Sequence, residues 1–276
     1  MNTEQKKRII NFLMVSLMAI VIIIISTKNT QANEGDVWIT PTVQSVKPST
    51  NFDIEVHVDT GGKNLGGFNM YLDFDASKLT IDTTQGTNGI DKGNDTSNYT
   101  IDSNTTDITN GHLRFAGITA SGYANGSNVH IITIHAKTTS GFTSGNSNLS
   151  LRVNELFDEL GNPLATTGTI TGETVAALAP VYRFWSDTKQ GHFYTISEAE
   201  KNHVIATYPP SVWNYERIAF YAETSATSTN SPVYRFWSDT KQHHFYTISE
   251  AEKNHVIATY PPSVWNYERI AFYAVK

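Results

Sequence analysis

The chain has 276 residues, 39% hydrophobic and 17% charged, so it is long enough for one large or two modest globular domains and too apolar to be disordered throughout. Its net charge of −6 argues against nucleic acid or anionic lipid as a partner, because both select clustered Lys and Arg. Cysteine is absent, which excludes a disulfide framework and a lipid-modified cysteine.

Residues 1–32 have the pattern of a signal peptide. Basic residues at 6–8 precede an apolar stretch at 9–25, and Thr30-Gln31-Ala32 forms a small-residue cleavage site. Cleavage would start the mature chain near Asn33 with a net charge of −9, because the segment carries four basic residues and one acidic residue. The alternative is an uncleaved membrane anchor, since about 17 apolar residues just span a bilayer. Both alternatives predict an extracellular or cell-surface protein.

Residues 33–178 are predicted to form a jelly-roll-like β-sandwich. The segment is rich in Thr, Ser, Asn and Gly, and apolar residues alternate with polar ones in its short strands, most clearly at 52–58 and 131–136. Short strands separated by turn-rich loops over this length are typical of a sandwich. The predicted strands are Val37–Ile39, Phe52–Val58, Gly67–Phe74, His112–Ile118, Val129–Lys137 and Leu149–Val153.

A long polar stretch at 82–111 interrupts this pattern. It contains Asp82, Asp91, Asp95 and other acidic residues among Gly, Asn and Thr. Such oxygen ligands could hold a structural Ca²⁺, which takes six to eight of them. No loop with fixed Ca²⁺-ligand spacing is present, so the favoured interpretation is a solvated insertion without a cofactor.

An internal repeat occupies the second half of the chain. Residues 180–222 and 232–274 align at an offset of 52 with one difference, Gly191 against His243, and a Ser/Thr-rich linker at 223–231 joins them. Duplication of a small module commonly raises valency. The sequence leaves open whether the two repeats are independent modules on a short tether or pack together as a pseudo-twofold pair.

Each repeat is predicted to contain a hairpin followed by a helix. In the first copy, strands at 181–185 and 192–195 flank a turn. The capping box Ser197-Glu-Ala-Glu200 then opens a helix that runs to about Ala206 and stops before two prolines. The fold class is therefore mainly β, with one short helix in each repeat.

Aromatic residues are concentrated in the repeats, ten in each copy. Small modules need large side chains to form a core, so most of these rings are expected inside. Alternation along 181–185 puts Arg183 and Trp185 on the face opposite Tyr182 and Phe184. An outward Trp beside polar side chains suits stacking against a sugar ring. The predicted ligand-binding residues are Trp185, Trp237, Trp213, Trp265, Arg183 and Arg235.

Catalytic and metal-binding patterns are absent from the sequence. No nucleophile with a base, no specific pair of carboxylates and no phosphate-binding glycine loop is present. His192 and His203 lie on different predicted elements, and no zinc-ligand spacing accompanies them. We therefore expect a protein that is not an enzyme and holds no catalytic metal.

The segment 65–79 (LGGFNMYLDFDASKL) resembles the cohesin domain and its relatives among carbohydrate-binding folds. Three further segments agree: 43–58 as opening strands, 129–136 as a late strand and 156–163 as a closing turn. The resemblance spans about 36–176 and implies a nine-stranded jelly-roll-type sandwich. Such a domain binds a dockerin module, which carries its own Ca²⁺, or polysaccharide in related domains. The resemblance transfers no contact residue to this chain.

The repeats resemble a bacterial repeat of unknown function, DUF5648. The resemblance rests on Tyr-Arg-Phe at 182–184, His-Phe-Tyr-Thr at 192–195, Ser-Glu-Ala-Glu at 197–200 and the ending at 213–221, all present again 52 residues later. This repeat is often attached to cell-wall and carbohydrate-active proteins, so it implies location and binding with no known reaction. The leading hypothesis is a secreted protein that binds polysaccharide or cell-wall glycan. The alternative is a scaffold that captures a dockerin-bearing protein.

Overall fold

The structure is a computed structural model that describes residues 33–164 and 168–275. The predicted signal peptide, residues 1–32, lies outside the described residues. Two compact units divide the chain: one contains Pro180–Ala222 and Val233–Ala271, and the other contains the N-terminal half together with Glu223–Pro232 and 272–275. Within the described ranges, neither helix has the length and apolar character needed to cross a membrane.

The residues that the structure describes form sixteen strands and two α-helices. They are β1 (Val37–Pro41), β2 (Ser45–Val46), β3 (Asn51–Val58), β4 (Leu65–Phe74), β5 (Leu79–Ile81), β6 (Ile90–Lys92), β7 (Thr100–Asn104), β8 (His112–Ile118), β9 (Val129–Thr138), β10 (Asn146–Asp158), β11 (Gly168–Ser186), β12 (Gly191–Thr195), α1 (Glu198–Thr207), β13 (Asn214–Glu223), β14 (Asn230–Ser238), β15 (His243–Thr247), α2 (Glu250–Thr259) and β16 (Asn266–Val275).

The N-terminal half folds as the predicted sandwich of two sheets. One sheet has the order β1-β3-β9-β5, with β6 also paired to β9, and the other contains β11-β10-β4-β8-β7, with β2 parallel to β11. The alternation predicted at 52–58 is confirmed: Phe52, Ile54, Val56 and Val58 point into the core and are buried. The mainly β fold class is thereby confirmed.

The stretch 82–111 is more ordered than the sequence indicates. It contributes β6 and β7, and Tyr99 between them is fully buried. Its acidic side chains accept hydrogen bonds from the protein: Asp95 from the His130 amide at 2.8 Å, and Asp82 from Gln85 at 2.9 Å. The expectation of a solvated insertion is therefore wrong at Tyr99, because a ring in the core fixes the segment to the sandwich.

Each repeat forms a three-stranded sheet with one helix. The strand order is β12-β11-β13 in repeat 1 and β15-β14-β16 in repeat 2. The predicted hairpin is present, with Phe184 opposite Phe193 and Trp185 opposite His192. The helix begins as predicted, since the Ser197 hydroxyl accepts a hydrogen bond from the Glu200 amide at 3.1 Å.

The linker between the repeats is a structured turn in the same compact unit as the sandwich. Glu223 accepts a hydrogen bond from the Ser45 hydroxyl at 2.8 Å, and the Asn230 side chain donates both to Glu223 and to the Ser225 carbonyl. Glu223 and Asn230 are both buried. Polar side chains thus order a segment whose composition alone indicates a flexible tether.

Candidate functional site

The hairpin of each repeat presents a polar and aromatic face opposite its core face. Cross-strand partners share a face, so Arg183 lies beside Tyr194 and Trp185 beside His192. We call this the leading face. It consists of Arg183, Trp185, His192 and Tyr194 in repeat 1, and of Arg235, Trp237, His244 and Tyr246 in repeat 2.

The leading face of repeat 1 is half-buried. The Trp185 ring lies 4.7 Å from the His192 ring, and its indole nitrogen donates to Asp187 at 2.7 Å. The Arg183 guanidinium forms an ion pair with Glu216 of the same repeat at 2.7 Å. These contacts orient both predicted ligand-binding side chains, and their role in binding stays a prediction.

Arg235, the equivalent of Arg183, lies in the interior between the two repeats. Its guanidinium donates to both carboxylate oxygens of Glu200 in repeat 1, at 3.1 and 3.0 Å, and pairs with Glu268 of its own repeat at 2.8 Å. Only 2% of its side chain is exposed, against 15% for Arg183. The two arginines are therefore not equivalent, and Arg235 has no surface to offer a ligand.

The rest of the leading face of repeat 2 also packs on repeat 1. The His244 ring stacks on Phe193 at 4.8 Å, and Trp237 packs against the core of repeat 1. The Tyr246 hydroxyl donates to the Tyr194 carbonyl at 3.1 Å and accepts from the Tyr194 amide at 2.9 Å. The receiving surface, which we call the trailing face, consists of Phe193, Glu200, Val204 and Trp213.

A cleft of about 270 Å³ remains between the repeats. Its walls combine aromatic rings with carboxylates and imidazoles. The lining residues are Phe193, Glu200, His203, Val204, Tyr208, Trp213, Trp237, His244 and Glu268. Two predicted binding residues, Trp213 and Trp237, thus meet in one place. Trp213 is only 7% exposed and belongs to the core, and Lys189 lies 5.5 Å from the centroid of each indole.

Trp265, the last predicted aromatic ligand, lies away from this cleft. Its ring packs beside Phe245 at 5.7 Å and beside His243 at 5.7 Å in repeat 2. It is half-buried, whereas its equivalent Trp213 is buried. The structure therefore brings two of the four tryptophans together and leaves Trp185 and Trp265 apart from them.

The two carboxylates of the cleft, Glu200 and Glu268, are held in the ionised form by their neighbours. Burial raises the pKa of Glu200, but hydrogen bonds from Arg235 and Thr195 outweigh it, so the pKa lies below its ordinary value. The pKa of Glu268 is also lowered, since contacts with His244 and Arg235 outweigh burial. Burial lowers the pKa of His244. The ionised carboxylates are acceptors for hydroxyl groups, and neither is poised as a general acid.

The sandwich offers a second candidate surface, the outward face of β10-β4-β8-β7. Arg114 donates to Asn69 at 2.9 Å, and Arg152 donates to Asp73 at 3.1 Å while stacking over Tyr71 at 4.2 Å. Burial opposes ionisation of Asp73, but hydrogen bonds from Arg152 and His112 lower its pKa. Fixed Arg and Tyr side chains of this kind are the residues that dominate protein interfaces.

A shallow groove of about 260 Å³ crosses one end of this face. Its apolar lining includes Phe157 and the exposed Ile118, and its polar lining includes Asp102, Arg114 and Glu155. An apolar floor bordered by charged groups is the composition of a protein-binding surface. We call the outward face together with this groove the sandwich face.

A family model described as the cohesin domain matches residues 37–175, about half of the chain. The chain belongs to the cohesin family. A second model, described as a domain of unknown function (DUF5648), matches residues 161–275. Both resemblances drawn from the sequence are thereby confirmed: a cohesin domain is followed by a DUF5648 region.

Several solved cohesin modules are similar to the cohesin domain of this chain. CaCohA2 from Clostridium acetobutylicum is 20% identical, with a TM-score of 0.38, and the match covers 52% of this chain and 96% of that one. A cohesin module from a Clostridium perfringens family 33 glycoside hydrolase is 12% identical, with a TM-score of 0.41 and coverage of 53% and 98%. The Coh-OlpA-Doc918 complex from Clostridium thermocellum is 12% identical, with a TM-score of 0.39 and coverage of 52% and 99%. No curated protein matches the chain.

The other sheet of the cohesin domain carries a histidine held between two carboxylates, which the sequence analysis missed. His135 on β9 contacts Asp53 at 2.8 Å through Nδ1 and Asp91 at 3.0 Å through Nε2. Burial opposes protonation, but hydrogen bonds to the two carboxylates outweigh it and raise the pKa of His135 above its ordinary value of 6.5. Asp91 comes from the polar stretch 82–111, so only the fold reveals the cluster.

Across the described part of the chain, no group of three His, Cys, Asp or Glu side chains could hold a metal ion.

The raised pKa of His135 predicts a pH dependence of stability. A raised folded-state pKa stabilises the fold below the unfolded value of 6.5, and this contribution is lost as pH rises through the folded pKa. His135→Gln should therefore destabilise the cohesin domain at pH 6 and have a smaller effect at pH 9. The expected loss at pH 6 is about 0.5–1 kcal/mol, because both carboxylates are largely exposed. Urea unfolding at both pH values measures it, and an equal loss at both would contradict the assignment.

Proposed function

We propose that this chain is a non-catalytic extracellular scaffold protein whose cohesin domain captures a dockerin-bearing protein. The observation that supports this proposal is the match of residues 37–175 to the cohesin domain. The sandwich face supplies the surface: Tyr71 and Arg152 are stacked, and Asn69 and Arg114 are hydrogen-bonded, so little side-chain freedom is lost on binding. Capture requires Ca²⁺ because the dockerin holds the ion.

Isothermal titration of residues 33–276 with a panel of purified dockerin modules tests this proposal. Arg114→Glu reverses a charge at the centre of the sandwich face and should weaken binding at least about 30-fold, the effect of losing about 2 kcal/mol at an interface hot spot. Lys137→Glu makes the same charge change on the other sheet, at an exposed position of β9, and should leave affinity within about twofold.

Two results would overturn the assignment. Failure of every dockerin to bind in Ca²⁺ would remove dockerin capture as the function. Binding that Lys137→Glu weakens and Arg114→Glu leaves intact would move the partner to the opposite sheet. Circular dichroism of both variants ensures that the cohesin domain is folded.

A second candidate function is glycan binding by the repeats, and the cleft between them favours it. Trp237 and Tyr208 offer rings for the apolar face of a sugar, while Glu200 and Glu268 accept hydrogen bonds from its hydroxyls. The cleft is small, so it would hold one or two sugar units of a polysaccharide or cell-wall glycan. This interaction would hold the scaffold on the surface from which it displays its captured partner.

A matched pair of substitutions tests glycan binding. Tyr208 and Tyr260 are equivalent and each is 42% exposed, but only Tyr208 belongs to the cleft between the repeats. We expect residues 33–276 to be retained on insoluble cell-wall and plant polysaccharides with or without EDTA. Tyr208→Ala should reduce retention about tenfold, which corresponds to about 1.4 kcal/mol. Equal loss in Tyr260→Ala, or no retention of the unchanged protein, would contradict the cleft as the site.

We also propose a role for each segment of the chain. Residues 1–32 direct export, 33–178 form the cohesin domain, 180–222 and 232–274 are the repeats, and 223–231 join them. N-terminal sequencing of the protein recovered from a secreting host should give Asn33 as the first residue. Recovery of the intact segment in the membrane fraction would show instead that it serves as an anchor.

A further inference from the structure

The contact between the two repeats has a direction. Repeat 2 contributes its leading face and repeat 1 its trailing face, so the Arg235–Glu200 pair has no reciprocal Arg183–Glu252 pair. A twofold pair would contain both. Contacts between different faces of identical units are heterologous, and each added unit leaves the same two faces at the ends.

The trailing face of repeat 2 lacks the cover that its counterpart in repeat 1 has. It consists of Phe245, Glu252, Val256 and Trp265. Phe193 and Trp213 are buried, whereas their equivalents Phe245 and Trp265 are half-buried. Trp237 completes the core of repeat 1, and no residue of a following repeat completes the core of repeat 2 within the described chain.

Charge also distinguishes the two trailing faces. Glu200 pairs with Arg235 and, at 2.8 Å, with Arg269 of repeat 2. The equivalent carboxylate, Glu252, has no ion-pair partner among the described residues. At the other end, Arg183 contacts one carboxylate, Glu216, where Arg235 contacts two. The trailing face of repeat 2 thus carries Glu252 without an ion-pair partner in the described part of the chain. The leading face of repeat 1 carries Arg183, which has one carboxylate partner fewer than Arg235.

The single difference between the repeats falls at their contact. A Cβ atom on Gly191 would lie 3.2 Å from the Cβ of His243, closer than a comfortable contact. The observed junction therefore places a glycine of repeat 1 against His243 of repeat 2, whose ring also packs beside Trp265. At a junction with a second copy, His243 would meet the Gly191 of that copy, which has no side chain.

We propose that a second copy of this chain covers the trailing face of repeat 2 with the leading face of its own repeat 1. Trp185 of the incoming copy packs on repeat 2 in the way that Trp237 packs on repeat 1. Arg183 of the incoming copy forms an ion pair with Glu252, in addition to its ion pair with Glu216 of its own repeat. The faces match because each has the sequence of a face that is already joined within the chain. The product is a head-to-tail oligomer in which each copy displays one cohesin domain.

Sedimentation velocity of residues 33–276 over a concentration series tests this proposal. The unchanged protein should gain mass with concentration, and Glu252→Arg should raise the dissociation constant at least about 30-fold, as expected for reversing a charge in an interface core. Glu250→Arg is the control, because Glu250 lies two residues earlier on α2 and is exposed. Unchanged fluorescence and circular dichroism show that each variant is folded.

A mixing experiment tests the direction of the contact. Trp185→Ala removes the ring from the leading face and Glu252→Arg blocks the trailing face, so each variant alone should be monomeric. Mixed together, they retain one intact pair of faces and should form a 1:1 dimer that grows no further. The proposal would be overturned if the unchanged protein stayed monomeric at concentrations up to about 1 mM. A dissociation constant of that size corresponds to a binding free energy of about 4 kcal/mol. Full association of Glu252→Arg, or no dimer in the mixture, would overturn it as well.

Discussion

Glu200→Ala should destabilise the repeats by about 2–3 kcal/mol, somewhat less than the 3–5 kcal/mol typical of breaking a fully buried ion pair. The loss is large because Arg235 is 2% exposed and would keep only Glu268 as a carboxylate partner. Arg269, which is half exposed, loses its contact at little cost. The substitution leaves a charge in the interior, which costs more than the pair itself contributes.

Urea unfolding followed by tryptophan fluorescence measures this effect, because four of the five tryptophans lie in the repeats. Glu252→Ala is the matched control: it makes the same change at the equivalent position of α2, where no ion pair is broken, and should cost less than about 0.5 kcal/mol. Equal losses in the two variants would show that the carboxylate acts within its own helix. The junction between the repeats would then rest on its aromatic contacts alone.

The same pair of variants has a defined pH dependence. The folded-state pKa of Glu200 is lowered, so its contribution is complete above the ordinary value of 4.5 and is lost as pH falls through the folded pKa. The difference between the unchanged protein and Glu200→Ala should therefore shrink in acid. A difference that persists well below the folded pKa would point to packing of the side chain rather than to its charge.

The local structure of the repeats could be predicted from sequence because it depends on neighbouring residues. The hairpin, the Ser197 cap and the end of α1 before two prolines all follow from residues within one turn of the element they define. The packing of one repeat on the other could not be predicted in this way. Two copies of one sequence give identical patterns, so no local rule separates Arg183 from Arg235.

Alternation along a strand shows which residues share a face, and it does not show what covers that face. It correctly places Arg235 and Trp237 opposite Tyr234 and Phe236, but repeat 1 buries the face that alternation alone assigns to solvent. The capping box is completed on one side only in both repeats. The Ser197 amide donates to Thr195 at 2.9 Å and the Ser249 amide donates to Thr247 at 3.0 Å, so in neither copy does the glutamate side chain reach back to the serine amide.

In the sandwich, the sequence predicts some strands well and misses others. Strands with clear alternation, such as β3 and β8, were predicted within one residue of their observed ends. One face of each strand packs in the core and the other face is more exposed to solvent, so the sequence alternates between apolar and polar residues. β6 and β7 were missed, since three to five residues among Asp, Asn and Thr carry no periodic signal. β6 depends on pairing with β9, which lies far away in the sequence, whereas β7 pairs with the next strand, β8.

Tyr99 explains why this polar segment folds against the core. Its ring is fully buried beside Phe68, 6.4 Å away, and its hydroxyl donates to the Leu65 carbonyl and accepts from the Ala124 amide at 3.2 Å. These two groups come from β4 and from the loop before β9. A single side chain thus links three segments that the sequence separates by more than twenty residues each.

Tyr99→Ala should therefore destabilise the cohesin domain by about 3–5 kcal/mol, the cost of deleting a buried aromatic ring, to which two unsatisfied backbone groups add. Tyr99→Phe keeps the ring and removes only the hydroxyl, so it should cost about 1–3 kcal/mol. Urea unfolding followed by circular dichroism measures both losses, while the fluorescence of the repeats gives an internal control that neither substitution should change. If Tyr99→Phe costs as much as Tyr99→Ala, the hydroxyl and not the ring holds the segment in place. If neither variant is destabilised, the segment 82–111 is the solvated insertion that its composition indicates.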